Sequence, residues 1–305
     1  MKYKKIKGIE KEVSMIALGC MRIDRLSVEA LESLVEVALS LGINFFDHAD
    51  IYGGGQSEVI FGEVLKRNPQ WREKMILQSK CGIRNGYYDL SKAHIISSVE
   101  ASLKHLQTDY LDVLLLHRPD ALMDPAEIGE AFESLYKRGI VKAFGVSNMT
   151  PGQMSLIQKH SEFPLLFNQL QFNVVHSGMI DAGIYANMKD ASAIDYDGGV
   201  LDYCRVNDIT IQCWSILQAS WTEGSYLDHP NYEALNLLLK SLGEKYNVSP
   251  SAIATAWILR HPAGMQAIAG TTTPENLRKI AQATTITLSR EDWYALYKSV
   301  GRQLP

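Results

Sequence analysis

The chain has 305 residues, 46% of them hydrophobic and 21% charged, with a formal net charge of −4 at pH 7. That is the composition of a globular protein with ample material for a core, and the acidic balance excludes the basic footprint of a nucleic-acid binder. No run of about 18 apolar residues exists to form a membrane span, and the basic start Met1-Lys2-Tyr3-Lys4-Lys5-Ile6 lacks a signal-peptide core, so a cytoplasmic location is expected.

Short apolar runs and amphipathic segments then alternate along the chain. Met15 to Gly19 reads as a first strand, and Ser27 can cap a helix with Leu31, Leu34, Val35 and Ala38 on one stripe. Ile43 to Phe46 is a second strand, followed by a helix from about Gln56. Met75 to Ser79 is a third, with Ile95, Val99, Leu103 and Leu106 marking its helix. Val113 to Leu116 is wholly apolar, as a parallel strand covered on both faces should be. Asp124-Pro125-Ala126-Glu127 starts a helix with cap, Pro and Glu in the favoured places. Val141 to Val146 follows, and Thr150-Pro151-Gly152-Gln153 is a similar start. Leu165 to Leu170 and Ile209 to Trp214 are the sixth and seventh strands, and Leu235, Leu238, Leu239 and Leu242 form a helical stripe. Ala267 to Gly270 is the eighth strand; helices open at Thr273-Pro274 and Ser289.

Eight strand–helix units with no linker or charge block predict one (β/α)8 barrel domain over 1–305. An open doubly wound sheet would want G-x-G-x-x-G after the first strand. The turn there is Gly19-Cys20-Met21-Arg22-Ile23-Asp24, which does not match. Cys20, Cys81, Cys204 and Cys213 form no C-x-x-C pair, so zinc-ribbon and thioredoxin-like readings fail and buried thiols are expected.

Catalytic side chains of a barrel sit where its strands end. The second strand runs into Asp47-His48-Ala49-Asp50-Ile51-Tyr52-Gly53-Gly54; Lys80 ends the third strand, His117 the fourth and Ser147-Asn148 the fifth, while Gln169 lies in the sixth. A carboxylate, a phenol, an ammonium and an imidazole thus converge on one mouth. This set suits carbonyl reduction, in which the oxygen needs a proton as hydride arrives. Tyr52 can supply it; a neighbouring Lys80 is expected to lower its pKa, with Asp47 holding the lysine and His117 orienting the carbonyl. The plainer readings are a solvated Lys80 and a structural His117. No H-x-H or Cys/His cluster supports a metal. Cys81 should point away from Lys80, since strand side chains alternate.

These residues together resemble the aldo-keto reductases across nearly the whole chain. The match rests on Leu18-Gly19-Cys20-Met21, Asp47-x-x-Asp50-x-Tyr52-Gly53, Lys80, Leu115-Leu116-His117-Arg118-Pro119, Gly145-Val146-Ser147-Asn148, Asn168-Gln169 and Gly270-Thr271-Thr272. The resemblance implies that Asp47, Tyr52, Lys80 and His117 are the catalytic tetrad, with Tyr52 as acid. It implies cofactor contacts at Gly19, Cys20, Met21 and Asp47, with Ser147, Asn148 and Gln169 at the carboxamide and Trp214 stacking on the nicotinamide. It places Ser215 and Leu217 on the pyrophosphate side, Gly270, Thr271 and Thr272 in a phosphate loop, and residues 3 to 14 in a hairpin capping the barrel floor.

There are departures. His48 replaces a common Thr, as in a bacterial subset of the family. Ile216, not Pro, follows Trp214-Ser215. Gly270 and Asn276 stand where the family has Lys and Arg around the adenosine 2′-phosphate. NADP(H) is still expected, with a smaller margin over NAD(H): Thr271, Thr272 and the helix start at Pro274 remain, and Arg278 or Lys279 can supply a cation. Glu275 is the nearby acid that would favour NAD(H) instead. The segment 177–199, with Met179, Tyr185 and Met188, reads as either a mobile loop over the substrate mouth or a plain surface excursion. The expected activity is reduction of a small-molecule aldehyde or ketone. A non-catalytic nicotinamide-nucleotide-binding regulatory subunit is the alternative, which an intact tetrad disfavours, and a barrel hydrolase or lyase without nicotinamide is a third reading, which the lack of a metal-ligand cluster disfavours.

Overall fold

The strand runs and their caps fold into a closed barrel in the computed structural model, which describes residues 1–189 and 191–304. A hairpin of β1 (Tyr3–Lys4) and β2 (Val13–Ser14) comes first, paired antiparallel. The barrel strands are β3 (Ile16–Gly19), β4 (Phe45–Asp47), β5 (Ile76–Cys81), β6 (Val113–Leu116), β7 (Phe144–Ser147), β8 (Leu165–Gln171) and β9 (Thr210–Trp214). After a small hairpin of β10 (Gln218–Ser220) and β11 (Gly224–Ser225), β12 (Gln266–Ala269) completes the set. Neighbours in sequence pair in parallel, and β12 lies between β9 and β3, closing the ring.

The helices are α1 (Val28–Ser40), α2 (Gln56–Arg67), α3 (Lys92–Leu106), α4 (Pro125–Lys137), α5 (Pro151–Lys159), α6 (Gly178–Ile184), α7 (Val200–Val206), α8 (Glu233–Tyr246), α9 (Pro250–Leu259), α10 (Pro274–Ala281) and α11 (Arg290–Lys298). Side chains of Ser27, Ser91, Asp124, Thr150, Ser249 and Ser289 each accept a hydrogen bond from a first-turn N–H. Such caps contribute about 1 kcal/mol each.

The expected single helix between the seventh and eighth strands is in fact two. Helix α9 escapes the pattern because it is apolar on every side, with Ala252 through Ile258 all buried. A helix covered all round has no stripe to read. Helix α11 supplies part of that cover: Trp257 and Trp293 stack at 4.9 Å, each indole N–H donating to the other's carbonyl.

Alternation along the strands sorts the core into two layers. In β6, Leu114 and Leu116 pack outward beneath the helices, while Val113 and Leu115 fill the barrel. Ile6 and Val13 of the N-terminal segment join Ala17, Phe45, Ile76 and Phe167 in that inner cluster, so the hairpin region plugs the floor. The same inward parity then turns polar. Ile76 is followed by Gln78 and Lys80, Phe45 by Asp47, Leu115 by His117, and Phe167 by Gln169, all buried. The strand alternation thus carries the site residues to the mouth. Cys81 has the opposite parity and sits in the outer core, and burial pushes its thiol well up.

Candidate active site

Tyr52 reaches the mouth through a short 3-10 turn over Tyr52–Gly55, with four residues between it and the β4 end. Gly53, Gly54 and Gly55 all have positive φ, a conformation costly for other residues. At Gly53 a Cβ would also stand 2.7 Å from Asp24 Cβ, so the turn is specified twice.

Lys80 is fully buried and spends its three donors inside the site. Its Nζ lies 2.7 Å from Asp47 Oδ1, 2.7 Å from the His48 carbonyl and 2.9 Å from the Tyr52 hydroxyl. Asp47 Oδ1 also accepts from Gln78 Nε2 at 2.6 Å and Gln169 Nε2 at 3.0 Å. His117 packs edge-on to the Tyr52 ring at 5.7 Å between centroids. One anion and one cation therefore face a phenol and an imidazole.

Burial sets the protonation states. It pushes the Tyr52 phenol up; the Lys80 charge opposes this and Asp47 adds to it, and the net direction is upward. Lys80 thus acts in the expected downward sense, but the expected net lowering of the phenol is reversed by burial. The desolvation of the phenol outweighs the ammonium beside it, so the resting group keeps its proton. For Lys80, burial pulls down, but the charges and hydrogen bonds of Asp47 and Tyr52 together lift it above its ordinary value. Burial, Lys80 and Arg118 hold His117 well below the usual histidine range. The ring is therefore neutral. Its Nδ1 is buried without a partner, which leaves Nε2 as the open nitrogen. His48 is likewise held neutral, pulled down to about 3 by burial and by Lys80.

Beside the tetrad, Ser147 Oγ donates to the Gln169 carbonyl, and Asn148 Nδ2 donates to Ser147 Oγ. Half-buried Trp214 donates its indole N–H to Asn148 Oδ1 at 3.2 Å, with Arg118 above its ring at 5.7 Å. Asn148 and Ser215 adopt positive φ at the ends of β7 and β9. Ser215 Oγ donates to Gln218 Oε1, and half-buried Leu217 continues toward the β10 hairpin. Gly19 packs against Ile268, Cys20 is fully buried, and Met21 is exposed at the end of β3. Gly270, Thr271, Thr272 and Asn276 line a cavity of about 330 Å³ on the same face, together with Arg22 and Arg25. Arg278 lies outside that lining, and Lys279 pairs with Glu275 at 2.6 Å.

The segment 177–199, apart from residue 190, which lies outside the described residues, contains α6 and a short 3-10 turn over Ala191–Ala193. Met179, Ile180 and Gly183 line a cavity of about 720 Å³ with Arg260, His261 and Trp293, none of them tetrad residues. Arg302 fastens the base of this segment through the Val174 and Val175 carbonyls and Asp181.

Four further participants were missing from the sequence-based site: Gln78 and Gln212, which brace Asp47 directly or through Gln169, and Arg22 and Arg25. The glutamines carried a signal, since each is a polar residue at an inward position of an apolar strand. Among the described residues there is no group of three or more His, Cys, Asp or Glu placed to hold a metal, and no helix is long and apolar enough to cross a membrane.

The parallel eight-stranded barrel thus gathers buried Asp47, Lys80 and His117 with half-buried Tyr52 at its strand ends. Comparison with known proteins gives the family. The model of the aldo/keto reductase family matches residues 15–300. Oxidoreductase YdhF of Escherichia coli is 36% identical over 96% of both chains. The 6-dehydroglucose reductase of Agrobacterium fabrum is 34% identical over 96% of both chains. The crystal structure of a thermostable aldo-keto reductase, Tm1743, in complex with the inhibitor epalrestat superposes with a TM-score of 0.77 at 25% identity, covering 98% of this chain and 100% of that one. The chain belongs to the aldo/keto reductase family.

Proposed function

We propose that the protein reduces aldehydes or ketones to alcohols with NADP(H), Tyr52 donating the proton to the carbonyl oxygen. The observation that carries this reading is the buried Lys80 ammonium, held at 2.7 Å by Asp47 and at 2.9 Å against the Tyr52 hydroxyl. A structural ion pair would have no reason to include a phenol.

Bound cofactor supplies the hydride. The residues of this chain fit such a group. Gln169 Oε1 takes no hydrogen bond from the described residues, and Ser147 and Asn148 stand beside it, a set suited to a carboxamide. Half-buried Trp214 offers a flat face at the same strand ends.

The remaining chemistry belongs to the protein. His117, neutral, donates from Nε2 to the carbonyl oxygen and aligns it with the Tyr52 hydroxyl. As negative charge builds on that oxygen, the phenol proton moves to it. The phenolate left behind is met by the ammonium already in place. Lys80 therefore acts mainly on the transition state, where charge appears, rather than by ionising the resting phenol. Asp47 and the two glutamines keep the lysine charged and aimed. The 6-dehydroglucose reductases among the relatives are named for carbonyl reduction, which favours this direction of reaction.

The test is Tyr52→Phe, assayed with a panel of aldehydes and ketones. Turnover should fall by about 10²–10⁴, the usual worth of one general acid, while nucleotide affinity by fluorescence titration stays close to the parent's. Turnover within a few-fold of the parent would remove Tyr52 from the role of acid.

A further inference from the structure

Loops at opposite ends of the chain meet beside the active-site mouth. Arg22 and Arg25 follow β3, while Gly270 follows β12, and these strands are parallel neighbours with Leu18 opposite Ala269. Both loops therefore emerge on the tetrad's face of the barrel. Between them lies the cavity of about 330 Å³, lined by the two arginines and by Thr271, Thr272 and Asn276.

The cavity carries two positive charges and no carboxylate in its lining. Arg22 Nη2 donates to the Gly270 carbonyl at 2.7 Å, across 248 residues of sequence. That bond uses one of five guanidinium N–H groups and meets a neutral acceptor, so the charge remains uncompensated. Arg25 makes no ion pair among the described residues, although Glu29 and Glu32 are engaged nearby by Arg67. The guanidinium lies against Gly270, where a Cβ would meet Arg22 Nη2 at 3.4 Å, an ordinary contact distance. Thr271 and Thr272 add hydroxyls, and the Asn276 amide adds donors without charge.

An open cavity with two unpaired guanidiniums, hydroxyls and an amide is chemistry for a phosphate dianion, and guanidinium–phosphate contacts are among the strongest polar interactions. We infer that Arg22 and Arg25, from the first strand–helix loop, hold the 2′-phosphate of the cofactor, rather than a cation on helix α10. This rests on the NADP(H) reading above. Arg278 lies outside the cavity, and Lys279 is occupied by Glu275. The arginines thus supply the charge that Gly270 and Asn276 lack.

The experiment compares dissociation constants for NADP⁺ and NAD⁺, by tryptophan fluorescence or calorimetry, in the parent, Arg22→Ala and Arg25→Ala proteins. Arg25 has no bond to the opposite loop, so its variant tests charge without disturbing the Arg22–Gly270 bridge. The parent should bind NADP⁺ more tightly than NAD⁺. Each variant should weaken NADP⁺ by about tenfold or more, the scale of a charged hydrogen bond, and leave NAD⁺ within about twofold. Adenosine 2′-monophosphate against the 5′-monophosphate should repeat the pattern without the diphosphate bridge. Equal weakening of NADP⁺ and NAD⁺ would assign the arginines to the diphosphate and overturn the inference. So would a loss confined to Arg278→Ala. If neither arginine variant changes NADP⁺ binding, a parent that still prefers NADP⁺ keeps the cofactor reading and loses only this site. A parent without preference loses both.

Discussion

Replacing Asp47 with asparagine removes one charge while keeping the shape and the acceptor Oδ1 that Lys80, Gln78 and Gln169 all address. The variant isolates the value of the counter-ion. Lys80 is fully buried, and its other partners are a carbonyl and a phenol, both neutral. Breaking one side of a buried pair destabilises by about 3–5 kcal/mol. A second bound is independent. The stranded lysine can escape by losing its proton, which from its ordinary value of 10.5 takes about 5 kcal/mol at pH 7 and about 2 kcal/mol at pH 9, at 1.36 kcal/mol per unit. The two estimates agree at neutral pH, and the second predicts a sign. In the parent, Lys80 is raised above its unfolded value. Its contribution is complete below about pH 10.5 and is lost as pH rises through the folded value. In Asp47→Asn the lysine falls below its unfolded value, so stability recovers as pH rises toward 10.5. Urea denaturation at pH 7 and pH 9 measures both. The deficit should be about 3–5 kcal/mol at pH 7 and at most about 2 at pH 9. An equal deficit at both, or one below about 1 kcal/mol at pH 7, would refute the reasoning.

Two further outcomes follow from packing and burial. His48, pulled down to about 3 with both ring nitrogens buried and unpartnered, stays neutral in the folded state while the unfolded chain protonates below about 6.5. Stability should fall by up to about 1.4 kcal/mol per pH unit on its account as pH drops below 6.5, and His48→Leu should make that acid limb shallower in urea titrations; an unchanged slope would mean His48 titrates normally. Gly62→Ala, in α2, places a Cβ 2.1 Å from the His105 carbonyl at the end of α3. The gain of about 1 kcal/mol in helix propensity is outweighed by a forced shift of the α2–α3 contact, so Tm should drop by about 2 °C or more; calorimetry showing an unchanged or raised Tm would contradict the close approach.

The barrel was legible because its strands are covered on both faces and so read as apolar runs, with caps at Ser27, Asp124 and Thr150 marking where helices begin. The grouping of Asp47, Lys80 and His117 was legible because strand parity places them inward at strand ends. What the sequence hid has physical causes. Helix α9 is buried on all sides and shows no period. The direction of the Tyr52 shift depends on desolvation, which a list of neighbouring charges leaves out. The Arg22 bridge joins positions 248 residues apart, a proximity that only barrel closure creates.

The polar layer inside the barrel explains how one carboxylate can be kept charged there. Gln266 Nε2 donates to the Ser14 carbonyl near the floor, and Gln212 Nε2 donates to Gln266 Oε1. Gln78 and Gln169 each donate to Gln212 Oε1 and to Asp47 Oδ1. Buried polar groups are tolerable when their bonds are made, and in a low dielectric such chains strengthen one another. The choice of amides has a consequence. Amides stabilise the Asp47 anion through hydrogen bonds without adding a titratable group beside Tyr52. An acidic residue at position 78 or 169 would set a second charge against Asp47 and push a proton onto one of them, whereas an apolar residue would strip Asp47 of a donor. Glutamine at both positions leaves the ammonium of Lys80 as the single cation against a single anion. On the proposed mechanism, the charge that appears on Tyr52 during proton transfer is the one new charge in the layer, and Lys80 already faces it.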